Sequence, residues 1–94
     1  MAKKVVAHSI AHIDLDSPVS SAEQIGEIVC ARRTAEGISI EDAAALCGVA
    51  KDTLLKLEHG HDGIKLATLL RIFAELGIEL RLSLKGSGDD DDWV

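Results

Sequence analysis

Aromatic residues are nearly missing from this chain: among 94 residues there is one Trp, one Phe and no Tyr. No nucleophile with a partnered base stands out, and no glycine-rich loop is shaped to cradle a phosphate, so an enzyme reading has little to rest on. No catalytic residue is assigned. Long apolar runs are missing too, which excludes a membrane span, and the basic start at Lys3 and Lys4 gives way too soon to His8 and Asp14 to be a signal peptide. A cytoplasmic protein is expected. Cysteine is limited to Cys30 and Cys47, both in predicted helices and without a metal-binding spacing, so in a reducing cytosol they read as small core residues. A redox switch would need the two sulfurs to be neighbours across the interface of the first two helices. Neither a metal nor a cofactor is expected.

A surplus of positive charge is the last absence, because the net charge of -6 is a poor match to a polyphosphate. Its distribution matters more than its sum. Asp89 to Asp92 carry four of the negative charges, Asp14 and Asp16 offset Lys3 and Lys4, and residues 20–85 hold 8 basic against 10 acidic groups, a net of -2. A nearly neutral domain can still present a local basic face to DNA, with weak nonspecific affinity.

The most informative stretch is SIEDAAALCGVAKDTLLKLEHG, from Ser39 to Gly60, which reads as two short helices across a tight turn. Ser39 caps the first through its hydroxyl, and Ala43, Ala44 and Ala45 allow close approach of a neighbour. Gly48 ends that helix and Val49 anchors the turn before Lys51 to Glu58 resumes a helical pattern. Leu54 and Leu57 face inward. Lys51, Asp52, Thr53 and Lys56 are left on the outer side, where a recognition helix meets a DNA groove.

These residues resemble the Cro/repressor (Xre-type) helix-turn-helix family. Gly37-Ile38-Ser39, Ala44, Gly48-Val49, Leu54, Glu58 and Gly60 stand in register with its pattern, and the resemblance covers about residues 22–82. The continuation through Leu69, Ile72, Leu76, Gly77, Ile78 and Leu80 is most similar to the HipB-like branch, whose members often act as antitoxins of a kinase toxin. The resemblance implies an all-α, four-to-five-helix lambda-repressor-like domain with a short C-terminal dimerisation strand. It also implies a homodimeric repressor of double-stranded operator DNA, partnered by a HipA-like kinase toxin. The chain departs from the family's usual residues at Ile40, Ala50, Asp52 and Leu55. An alternative is a protein-interaction module of the same fold that neutralises a partner without binding DNA, which an outward Leu55 and the acidic tail favour.

In chain order, residues 1–19 read as an N-terminal arm or strand. His8 and His12 are four apart, but two ligands close no metal site. Asp16-Ser17-Pro18 signals a loop, and Ser20 or Ser21 then caps the first helix with Glu23 or Gln24 completing a capping box. Ile25, Ile28 and Val29 form the expected buried stripe. Arg32 and Arg33, near the end of that helix, suit its dipole and equally suit DNA phosphates. His59, His61 and Asp62 are too close together in one loop to converge on an ion, while Lys65 fits a phosphate contact.

The last helix is expected over Leu66 to Leu76, with Leu69, Ile72, Phe73 and Leu76 on one face and Gly77 as its stop. From Ile78 the period changes to two, placing Ile78, Leu80, Leu82 and Leu84 on one side. That predicts a strand paired with a second copy or with the N-terminal segment. Residues 20–85 therefore form the expected domain, and residues 86–94 a flexible acidic tail in which Trp93 is a candidate anchor for a partner. The candidate DNA contacts are Ser39, Lys51, Asp52, Thr53, Lys56, Arg32, Arg33 and Lys65. Asp52 can accept from a cytosine amino group or cap its own helix.

Overall fold

A serine opens the first helix of the computed structural model, which describes residues 13–86. The arm before Ile13, with His8 and His12, and the tail from Ser87, with Trp93, lie outside the described residues. Helix α1 spans Ala22–Ala35. The Ser21 hydroxyl accepts from the Gln24 amide at 3.2 Å, and the Gln24 side-chain oxygen accepts in return from the Ser21 amide at 3.0 Å. This reciprocal pair satisfies two donors that the helix start would otherwise leave without partners. Helix α2 spans Ile40–Cys47, capped as expected by Ser39, whose hydroxyl accepts from the Asp42 amide at 3.0 Å. Helix α3 spans Lys51–Glu58 and α4 spans Leu66–Leu76, and neither start has a side-chain cap.

All four helices stop in the same way. A glycine with positive φ follows each one, at Gly37, Gly48, Gly60 and Gly77. The left-handed backbone that glycine adopts without steric cost turns the chain sharply enough for the next amide to reach back five residues. Those reach-back bonds run from Ile38 to Arg33, Val49 to Ala44, His61 to Lys56 and Ile78 to Phe73, at 2.8 to 3.2 Å. Ile38, Val49 and Ile78 then pack against the core, so three of the stops also act as apolar anchors.

The core is small and aliphatic. Val29, Ala43, Ala44, Cys47, Leu54, Leu57, Ile72, Phe73 and Leu76 form one buried cluster. Helix α1 packs on α3 and α4, and α2 packs on the same two. The α1 stripe differs from expectation: Val29 is fully buried, Ile25 and Ile28 are half-buried, and Gly26 and Ala31 are buried instead. Gly26 is the reason. A β-carbon there would sit 2.8 Å from the Glu58 carbonyl oxygen and closer still to that of Leu57, so the end of α3 crosses α1 at backbone contact distance.

The expected strand from Ile78 to Leu84 does not form in the single chain. No strand is present among the described residues, and Leu80, Leu82 and Leu84 are 49%, 89% and 65% exposed. A strand is defined by its ladder, and alternation along one segment supplies a face but no partner to bond with. Ile78 alone of the four is half-buried against the core.

Candidate nucleic-acid interface

The turn at Gly48 brings the starts of α2 and α3 together. Lys51, the first residue of α3, reaches back to Glu41 in the first turn of α2, with Nζ 2.9 Å from Oε2. Both side chains are more than half exposed, so the pair lies on the surface beside the Ser39 cap. Arg71 of α4 supports the turn from behind, its Nη1 donating to the Gly48 carbonyl at 3.4 Å. Along α3, Leu54 and Leu57 enter the core as expected, and Lys51, Asp52 and Lys56 face solvent. Thr53 is half-buried at the edge of that face. Leu55 is half-buried as well, not outward, so it contributes less to the surface than the sequence pattern implies.

The two lysines of this face are both engaged. Lys56 Nζ lies 3.2 Å from Asp52 Oδ2, one turn back on the same helix, and the Glu41 carboxyl is held below its usual range by the hydrogen bond from Lys51. The capping role considered for Asp52 is not taken, since Ala50 carries no side-chain cap and Asp52 pairs with Lys56. Exposed pairs of this kind contribute about 0–1 kcal/mol each.

The two arginines of α1 have structural work. Arg33 clasps Glu58 with two parallel bonds, Nε to Oε2 at 2.6 Å and Nη2 to Oε1 at 3.0 Å, and Nη1 donates to the Ile38 carbonyl at 2.8 Å. With side-chain exposures of 13% and 6%, this pair is largely buried and ties α1 to the last residue of α3. Its guanidinium is thus bonded within the fold at all three nitrogens. Arg32 donates from Nε to the Leu76 carbonyl at 2.8 Å, closing the end of α4, and its Nη1 pairs with Glu36 at 3.2 Å. Of the remaining candidates, Lys65 is exposed at the start of α4 and has no ion pair among the described residues.

His59, His61 and Asp62 are exposed. His61 and Asp62 edge a shallow apolar groove of about 210 Å³ floored by Ile25, Leu57, Ile64 and Leu69. Among the described residues no group of three or more His, Cys, Asp or Glu side chains is placed to hold an ion, and no helix is long and apolar enough to cross a membrane. Cys30 and Cys47 are free thiols whose pKa values burial pushes up, with Glu58 adding to the effect at Cys30.

The sequence leaves three contributors to this site unannounced: Glu41 as partner of Lys51, Glu58 as partner of Arg33, and Gly26 as the crossing point. Gly26 is the one with a signal, because a glycine in the middle of a helix costs about 1 kcal/mol relative to alanine and is retained for close packing.

Comparison with known proteins bears on the same elements. The chain matches two solved structures over 72% of its length, HipB in complex with an O4 20mer and a HipB variant in complex with an O2 20mer. Each shows a TM-score of 0.66 at 20% identity and is covered over 96% and 94% of its own chain respectively, a likeness of fold. A comparison with curated protein sequences finds no match. The family described as Helix-turn-helix matches residues 31–82, more than half of the chain, and takes in α2, the Gly48 turn, α3 and α4, so this chain belongs to the helix-turn-helix family.

Proposed function

We propose that the chain is a dimeric repressor that reads double-stranded operator DNA with α3, and that it is the antitoxin of a HipA-like kinase toxin encoded with it, acting in the cytoplasm. The supporting observation is the paired start of α2 and α3, which sets Ser39, Lys51, Asp52 and Lys56 on one exposed surface of a helix-turn-helix unit. In this reading Lys51 and Lys56 reach base edges or phosphates, Thr53 and the Ser39 end of α2 hold the backbone, and Lys65 adds a phosphate contact. Asp52 accepts from a cytosine amino group. Arg33 is left out of the contact set because Glu58 occupies it, and Arg32 acts through α4.

The HipB structures support the DNA part, since both hold a 20mer, a length of about two turns if duplex. The toxin part rests on the family branch. There the acidic tail, residues 86–94, would dock on the kinase through Trp93, or mark the protein for degradation. A second reading has its own observation: with a net charge of -6 and both α3 lysines paired, the same fold suits a module that neutralises a protein partner without DNA.

One titration separates them. Duplexes from upstream of its own gene and random duplexes are bound to the full chain at 50 to 200 mM salt. The DNA reading expects a preferred duplex, and a Lys51→Ala, Lys56→Ala double variant that loses roughly 1–3 kcal/mol per base contact. Unchanged affinity in the double variant defeats the assignment. Absence of any preferred duplex, alongside tight binding to the neighbouring kinase, favours the second reading.

A further inference from the structure

Lys51, Arg32, Arg33, Lys56 and Arg81 all stand in ion pairs, and Lys65, Arg71 and Lys85 are the basic residues outside them among the described residues. On the α3 face the pairing is complete. We propose that Glu41 and Asp52 are specificity-determining residues, which hold Lys51 and Lys56 away from phosphates so that the face binds DNA firmly only where base edges reward it. This deepens the DNA-reading function proposed above and rests on it.

Nonspecific DNA affinity comes from cations neutralising phosphates and releasing counterions, a gain available on any sequence. An unpaired lysine on a flexible four-carbon stem takes that gain anywhere along a duplex. Lys51 is held at 2.9 Å by a carboxylate from the neighbouring helix, and Lys56 at 3.2 Å by one a turn back on its own. Seating either lysine on a phosphate brings its paired carboxylate up against the polyanion, so the nearly neutral pair gains little of the counterion release that a free lysine would. At a base edge the balance differs. Lys51 retains two donors while one is engaged by Glu41, so it can bond guanine acceptors without letting go. Asp52 accepts from a cytosine or adenine amino group and is repelled by guanine and thymine acceptors. The carboxylates thus penalise random sequence more than a matched site, and discrimination widens without any gain in total affinity.

Asp42 is exposed in the same turn as Glu41 but makes no ion pair among the described residues, so the role falls on the two paired carboxylates. Both lie on the surface within the first turns of their helices, where neutral isosteres leave the fold intact.

The test uses two fluorescent duplex probes, one recovered from a randomised pool by selection on the wild-type chain and one being the unselected pool. Both are titrated by anisotropy between 50 and 200 mM salt. Wild type is compared with Glu41→Gln, Asp52→Asn, the double variant and Glu27→Gln, an exposed carboxylate of α1 that removes the same charge elsewhere. In the double variant the ratio of selected-probe to pool affinity should fall by about ten-fold, and the pool's salt slope should steepen by roughly two units, about one per lysine released. Glu27→Gln should leave the ratio unchanged. An equal gain on both probes would reduce the carboxylates to general charge and overturn the proposal, as would an unchanged pool affinity and slope. If wild type selects no duplex above the pool, the DNA-reading function itself fails, an outcome distinct from the other two. Thermal midpoints within a few degrees of wild type keep a folding defect from imitating the effect.

Discussion

Arg33 and Glu58 are 25 residues apart in sequence and close together in the fold, the most deeply buried ion pair among the described residues. A buried pair is costly to desolvate, so its presence adds little net stability, but removing one member leaves the other without a partner where water cannot fully reach it. Glu58→Ala is therefore expected to destabilise the domain by about 3 kcal/mol, out of a total that for domains of this kind is about 5–15 kcal/mol. Arg33→Met with Glu58→Leu should recover most of that loss. Urea unfolding of the three proteins, read at the midpoint with the slope unchanged, measures both numbers. A Glu58→Ala variant within 0.5 kcal/mol of wild type, a margin ordinary for surface changes, would mean that the pair behaves as an exposed one. The same bonds are why Arg33 is left out of the proposed contact set, a choice that residue type and helix position alone leave open.

At the level of helices, what decides the packing is how near α3 comes to α1. Gly26→Ala gains about 1 kcal/mol of helix propensity, yet its β-carbon meets the carbonyls of Leu57 and Glu58, backbone atoms at the end of a helix that cannot step aside alone. Overpacking costs about 1–3 kcal/mol, and here it should win because the clash is with backbone rather than a flexible side chain. A fall in thermal midpoint of about 4–8 °C per kcal/mol is expected for a domain of this size. A midpoint raised by the substitution would show that the helices separate freely. The contrast with the helix ends explains what can be read from sequence. Ser39, Ser21, Gly48 and Gly77 act within a few residues of themselves, so the span of α2, the turn after it, the start of α1 and the end of α4 follow from local chemistry. Lys56 and Asp52 share an i, i+4 spacing, so that pair is readable as well. The bonds from Arg33 to Glu58 and from Lys51 to Glu41 depend on the angle at which two helices cross, and no local pattern encodes that angle. The segment after Gly77 shows the opposite limit, since its alternation is plain in the sequence while its ladder partner is not.

For the molecule as a whole, that segment is the unfinished part. Leu82 is 89% exposed and Leu84 65%, an apolar row that a monomer leaves in water. Burying a leucine side chain contributes about 1.5–3 kcal/mol, and a second copy brings the same row together with the backbone groups needed to complete a ladder. Operator reading by short recognition helices requires two of them about 34 Å apart on one DNA face, which a two-fold dimer can supply and a single chain cannot. The expected outcome is a dimer by light scattering at micromolar concentration, with a thermal midpoint that rises with protein concentration because association stabilises the folded state by mass action. Leu82→Asp places a carboxylate opposite its own symmetry mate or close to it, so it should give a monomer whose midpoint no longer depends on concentration and whose hold on a two-half-site duplex drops while that on a single half-site does not. The monomeric variant should keep its helical circular dichroism, because Leu82 lies outside the core cluster. A wild-type mass of one chain at these concentrations, or a Leu82→Asp protein that remains dimeric, would move the interface away from residues 78–84 and leave the exposed leucines to another partner.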